Sequence, residues 1–138
     1  MTVKLDDIEW AIEFASSGCG DSEAYLDTES GAIYYIGDAV EEPIPDDLYD
    51  SDKYLQIPDK RELDLGKHLV IRFTSEKIPE HLDTVYDMFR KQGAYSRLKD
   101  LLGSLELLDA WYTYEELALK QATIDWCKAN NINFSSDI

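Results

Sequence analysis

From residue 107 to residue 129 the chain reads LLDAWYTYEELALKQATIDWCKA, and its apolar positions recur at helical spacing. At a step of about 100° per residue, Leu107, Leu108, Trp111, Ala118, Leu119, Ala122 and Trp126 fall on one broad face, with Asp109, Glu116, Lys120 and Thr123 opposite. Leu117 and Ile124 lie off that stripe. The pattern therefore predicts a long central helix, touched by neighbours on more than one side.

The opening LDDIEW predicts a helix over residues 6–16, with Asp6 at the N-cap, Glu9 at the capping-box position and Leu5 stapled onto Trp10. Ile8, Ala11, Ile12 and Ala15 form its apolar stripe, and Ser16-Ser17-Gly18-Cys19-Gly20 ends it. Residues 23–27 and 32–36 are rich in aromatic and β-branched side chains and are separated by Thr28-Glu29-Ser30-Gly31, which predicts a hairpin with Gly31 at the positive-φ position. A hairpin alone is marginal, and Tyr54-Leu55-Gln56-Ile57 before Pro58 is the candidate third strand.

Beyond residue 64 the period is helical. Asp64 caps a helix carrying Leu65, Leu69, Val70 and Phe73, and Pro79 opens another whose Leu82, Val85, Tyr86 and Phe89 share a face. Gly93 breaks the chain before a helix over residues 94–102 with Leu98, Leu101 and Leu102 inward. Gly103 then interrupts before the central helix, and Asn130-Asn131 favour a C-cap after it. The fold class is α+β. It comprises an N-terminal helix, a small antiparallel sheet (the hairpin plus the candidate third strand) and a C-terminal helical bundle with a long final helix, without a parallel sheet.

A length of 138 residues predicts a single domain over residues 1–138, large enough to bury about 70% of its unfolded surface. An apolar share of 44% is too high for a disordered chain, so the protein is expected to fold alone. Cys19 and Cys127 lie far apart, with no partner at metal-ligand spacing, which favours buried or idle thiols over a metal site. The sequence has no apolar signal region at its start and no run of membrane-spanning length, so the expectation is a cytoplasmic protein without membrane contact.

Charge changes the picture most. The net value is −16, and the first 65 residues hold 18 acidic against 4 basic residues. Such a field repels phosphate backbones and anionic lipid and speeds encounter with basic partners, so broad nucleic-acid binding is disfavoured. Residues 38–52 contain seven acids and no base, broken by Pro43 and Pro45. They read either as a solvated connection or as a docking surface in which Asp46, Asp47, Asp50 and Asp52 meet a basic partner.

The chain turns basic only over residues 90–99, where Arg90, Lys91, Arg97 and Lys99 occur without an acid. Arg90, Gly93, Tyr95, Arg97 and Lys99 could hold a small anion at a helix start, or a single strand stacked on Tyr95. Against this, the same cations complement a helix C-terminus and the acids of the N-terminal half. Catalytic signals are thin. His68 and His81 lack a ligand pattern, no phosphate loop or nucleophile elbow occurs, and neither metal nor cofactor is expected. Asp125, between Ile124 and Trp126, is expected to be partly buried and to need a partner such as Arg97.

The succession LDDI, YLDTESG, IPDK, QGAYSRLKD and WYTYEELALKQATIDWCKANNI resembles a bacterial family of small acidic proteins that carries only an uncharacterised-protein-family label. The likeness spans most of the chain and is most specific over residues 93–132. Similar members often carry a phenylalanine and a further arginine where this chain has Tyr95 and Ser96, which implies a weaker basic stretch here. The resemblance implies one domain and attention to Arg97, Lys99, Trp111, Tyr112, Asp125 and Trp126, but no reaction, substrate or cofactor. Three function classes follow, in descending order. The first is a non-catalytic interaction protein with an acidic surface for a basic protein partner, the second an anion or single-stranded nucleic-acid module at residues 90–99, and the third an enzyme.

Overall fold

Apolar positions at helical spacing produce α1 (Leu5–Ser16), whose Leu5, Ile8, Ala11 and Ile12 are buried. The computed structural model describes residues 2–17, 22–37 and 43–135, so Cys19 and the first acids of the 38–52 stretch lie outside the described residues. The chain divides into two compact units, Met1–Leu63 with Leu119–Ile138 (unit 1) and Asp64–Ala118 (unit 2).

In unit 1 the hairpin forms as its turn chemistry predicts. β2 (Glu23–Asp27) pairs antiparallel with β3 (Ile33–Ile36), and Gly31 takes φ 83°. β4 (Tyr54–Gln56) is the third strand and pairs with the other edge of β2, giving the order β3-β2-β4. A two-residue parallel pair, β1 (Val3–Lys4) with β5 (Phe134–Ser135), joins the ends of the unit and was not expected. Leu5, Ile8, Ala11 and Ile12 pack with Ala24, Leu26, Ile57, Cys127 and Ile132 in one core.

Two capping expectations for unit 1 are overturned. Lys4, not Asp6, precedes α1, and it makes no side-chain cap bond. Because the β1 pairing carries the chain directly into the helix at Leu5, Asp6 and Asp7 fall in its first turn, where they favour the positive end of the dipole. Leu5 is buried while Trp10 is 59% exposed, stacked on Phe14 and edge-on to Tyr35, so no staple joins Leu5 to Trp10.

Unit 2 holds α2 (Lys67–Lys77), a one-turn 3-10 helix at Pro79–His81, α3 (Leu82–Met88), α4 (Ala94–Ser104) and the first part of α5 (Leu108–Ala129). Its core joins Leu69, Val70, Phe73, Ile78, Val85, Leu98, Leu102 and Trp111. Phe73 meets Trp111 and Tyr114 edge-on at centroid distances of 5.2 and 5.1 Å. Gly66 rather than Asp64 starts α2, because its carbonyl accepts the Leu69 and Val70 amides while Asp64 sits in a turn at φ 58°. Helix α4 also runs through Gly103 to Ser104, two residues past its expected end.

α5 is the long helix expected, and its two parts serve different cores. Trp111 is buried in unit 2, whereas Thr123 and Cys127 are buried in unit 1. A single stripe therefore misplaced Thr123, whose hydroxyl donates to the Leu119 carbonyl at 2.7 Å and so can be buried without an open donor. The helix ends with Asn131 at φ 57°, the Ile132 amide donating to Cys127 and the Asn131 amide to Lys128. The same paired bonds end α4, with Glu106 at φ 59° and the Leu107 and Glu106 amides donating to Leu102 and Gly103.

Candidate functional site

Strand alternation gives β2 two different sides. Ala24 and Leu26 point into the core of unit 1 at 0% exposure, which leaves Glu23, Tyr25 and Asp27 on the opposite side. Cross-strand partners share a side, so the register adds Tyr34 and Gln56 beside Tyr25, Ile36 beside Glu23 and Tyr54 beside Asp27. The outer face of the sheet thus carries three tyrosines, and Tyr49 from the preceding loop meets Tyr25 edge-on at 6.0 Å. Tyr34 and Tyr54 meet in the same manner at 6.1 Å.

One of the predicted acidic residues, Asp47, is tied to this face through Tyr54. Asp46, Asp47, Asp50 and Asp52 are all exposed, yet the loop that carries them is anchored. Leu48 is buried, the Asp50 and Ser51 amides donate to the Asp47 carbonyl, and the Tyr54 hydroxyl donates to Asp47 Oδ1 at 3.1 Å. Burial, then the bond to Asp47, raises the Tyr54 hydroxyl above its ordinary pKa. Tyr25 is pushed up to about 12 by burial first, then by donating to Glu23 Oε2 at 3.0 Å and by the nearby charge.

Asp27 joins the turn to the sheet. Its Oδ1 accepts the Glu29 and Ser30 amides at 2.9 and 3.2 Å, an Asx-type turn that suits the tight loop. Burial opposes ionisation of Asp27, but the Glu29 and Ser30 amides, the Ser30 hydroxyl and the Lys53 charge together outweigh it and hold the carboxyl below its usual value. Lys53 faces both Asp27 Oδ2 and Glu29 Oε2 at 3.9 Å and lies 5.0 Å from the Tyr54 ring centroid. The hydroxyl of Tyr54, more than these charges, raises the Lys53 ammonium pKa.

The basic stretch lies in unit 2 and is more dispersed. Arg90 pairs with Asp87 at 3.2 Å, both exposed. Gly93 takes φ 74° ahead of α4, and Tyr95 packs edge-on against Phe89 at 5.4 Å. Arg97 and Lys99 are exposed, but two residues apart on a helix they are separated by about 200° and point to different sides. Asp125 is exposed rather than partly buried. On the solvent side of α5 it accepts a hydrogen bond from Gln121 Nε2 at 2.9 Å, so it needs no cation to satisfy it.

Sequence reasoning picked out the acids of the loop but not the tyrosines and Lys53 beside them. The signal was present in the odd positions 23, 25 and 27, all polar or amphipathic between buried Ala24 and Leu26. Only the strand register, however, adds Tyr34 and Tyr54 to that side.

A family model matches residues 4–137, and the chain belongs to an uncharacterised protein family (UPF0158). No curated protein and no solved structure matches the chain. Among the described residues no helix is long and apolar enough to cross a membrane.

Proposed function

Given membership of a family that carries no assigned activity, we propose that the protein is a non-catalytic interaction protein whose acidic loop and adjoining tyrosine face receive a basic protein partner. The observation that carries this reading is the anchoring of the loop. Buried Leu48 and the bond from Tyr54 to Asp47 tie the loop that carries Asp46, Asp47, Asp50 and Asp52 to the sheet. An anchored loop loses less conformational entropy on binding than a free one, so its charges act together rather than one at a time. The cytoplasm is the setting we propose for this encounter, with Cys127 a buried free thiol.

Capture from the source cell tests the reading, with bound proteins identified by mass and isoelectric point. Wild type should retain a basic protein at low salt and release it at high salt. Replacing Asp46, Asp47, Asp50 and Asp52 by Asn should abolish capture. A charge-matched variant with Glu62, Asp83, Asp109 and Glu116 neutralised should keep it. Equal loss in the two variants would mean that total charge, not this loop, governs association.

A further inference from the structure

We propose that the outer face of the sheet takes an arginine-bearing segment of the partner polypeptide, with guanidinium groups over the rings of Tyr34 and Tyr54 and against the carboxylates of Asp27 and Asp47. This rests on the acidic-loop reading and extends it from a charged loop to a specific occupant. Lys53 already performs a weaker version of the contact within the chain. Its ammonium stands 5.0 Å from the Tyr54 centroid and 3.9 Å from Asp27 Oδ2 and Glu29 Oε2, beyond hydrogen-bonding distance of either oxygen.

Asp27 explains why the arrangement suits a stronger donor. Its side chain is only 9% exposed, Oδ1 is taken by the Glu29 and Ser30 amides, the Ser30 hydroxyl also bonds the carboxylate, and the ammonium beside Oδ2 stands 3.9 Å away. A planar guanidinium can lie on a tyrosine ring and donate in its plane to a carboxylate at once, which a compact ammonium on a flexible stem does poorly. Charge selects the same occupant. Unit 1 has 19 acidic against 6 basic residues, and Lys53 is the single cation between Glu29 and Asp59. A polypeptide fits better than one small cation because three strands at about 4.8 Å spacing, plus the loop, offer several acid and ring positions in a row.

The test titrates the full chain with a synthetic peptide of alternating arginine and glycine, with its lysine counterpart, and with spermine. The arginine peptide should bind about fivefold more tightly than the lysine peptide, and more tightly than spermine. Tyr34→Leu leaves charge and the bond from Tyr54 to Asp47 unchanged and should weaken the arginine peptide about fivefold, whereas Tyr34→Phe keeps the ring and should retain binding. Lys53→Gln removes the internal competitor at a partly exposed position and should tighten binding about threefold, which decides the matter even if the leucine variant fails to fold. Unchanged affinity in Lys53→Gln, equal binding of arginine and lysine peptides, or spermine binding as tightly as the peptide would overturn the proposal. If the tyrosine variants bind normally while the four-Asn loop variant does not, the loop reading stands and the tyrosine seat falls. If the loop variant also binds normally, both fall.

Discussion

Unit 1 buries an aliphatic core with aromatic side chains around it and unit 2 a core that includes Phe73 and Trp111, but they also handle charge in different ways. Unit 1 carries 19 acidic and 6 basic residues, and unit 2 carries 10 and 7. Unit 2 uses cations within itself: Arg90 meets Asp87, Arg72 lies over Tyr114 and Lys67 over Phe89. In unit 1 the ion pairs among the described residues are those of Lys53 with Asp27 and Glu29 and of Lys60 with Glu13. Asp46, Asp50 and Asp52 have none among those residues. Uncompensated like charge opposes compaction, so the acid excess does not hold unit 1 together, and an external basic surface is its natural complement.

The sharpest way to separate the two units is to open a cavity in one. Phe73→Ala removes a ring buried to 1% between Trp111 and Tyr114 and should cost about 3–5 kcal/mol. Urea unfolding followed separately at Trp10 in unit 1 and Trp111 in unit 2 measures this. We expect one coincident transition, as α5 is continuous and contributes to both cores; two midpoints would contradict single-domain behaviour.

In unit 1 the corresponding weak point is polar. Asp27→Ala strands the Glu29 and Ser30 amides and should cost about 1–3 kcal/mol at neutral pH, while Asp27→Asn keeps the acceptor and should cost less. Since the folded carboxyl lies below its unfolded value, the ionised form contributes stability above pH of about 4, and that contribution is lost as pH falls through the folded value. The gap between wild type and Asp27→Asn should therefore narrow in urea melts as the pH is lowered.

The helix ends offer a smaller contrast. Both α4 and α5 close on a left-handed residue, Glu106 in unit 2 and Asn131 in unit 1. Asparagine tolerates that conformation and glutamate does not, so Glu106→Gly should stabilise by about 0.5–1 kcal/mol and Asn131→Gly by less. Thermal denaturation of the two variants checks the order.

The smallest effect at neutral pH is confined to Tyr25. Its hydroxyl pKa is raised to about 12, so the neutral form stabilises the fold fully below the unfolded value and this is lost as pH rises through the folded one. Alkaline absorbance titration should show a late-ionising tyrosine in wild type that is missing in Tyr25→Phe.

These outcomes also mark what could be read from the residues. Hairpin, third strand and long helix were legible because Gly31, the aromatic and β-branched strand segments and the helical spacing are local signals. Helix starts were less legible. Asp6 and Asp64 both look like caps, but the pairing of Val3 with Phe134 and the turn around Asp64 move the true starts to Leu5 and Lys67. Such pairing joins residues at opposite ends of the chain and leaves no local trace. Thr123 is polar and falls opposite the apolar stripe, yet it is buried because its hydroxyl is satisfied within the helix. Of the site, the acids were visible as a run, whereas the tyrosines converge only through strand register.

Mapping amide chemical shifts of the labelled full chain during titration with the arginine and glycine peptide tests the central claim most directly. The account predicts that the largest changes fall on residues 23–29, on Tyr34 and on residues 46–54, and that they collapse at high salt. Changes centred in Asp64–Ala118, or spread evenly over the exposed acids of both units, would contradict it.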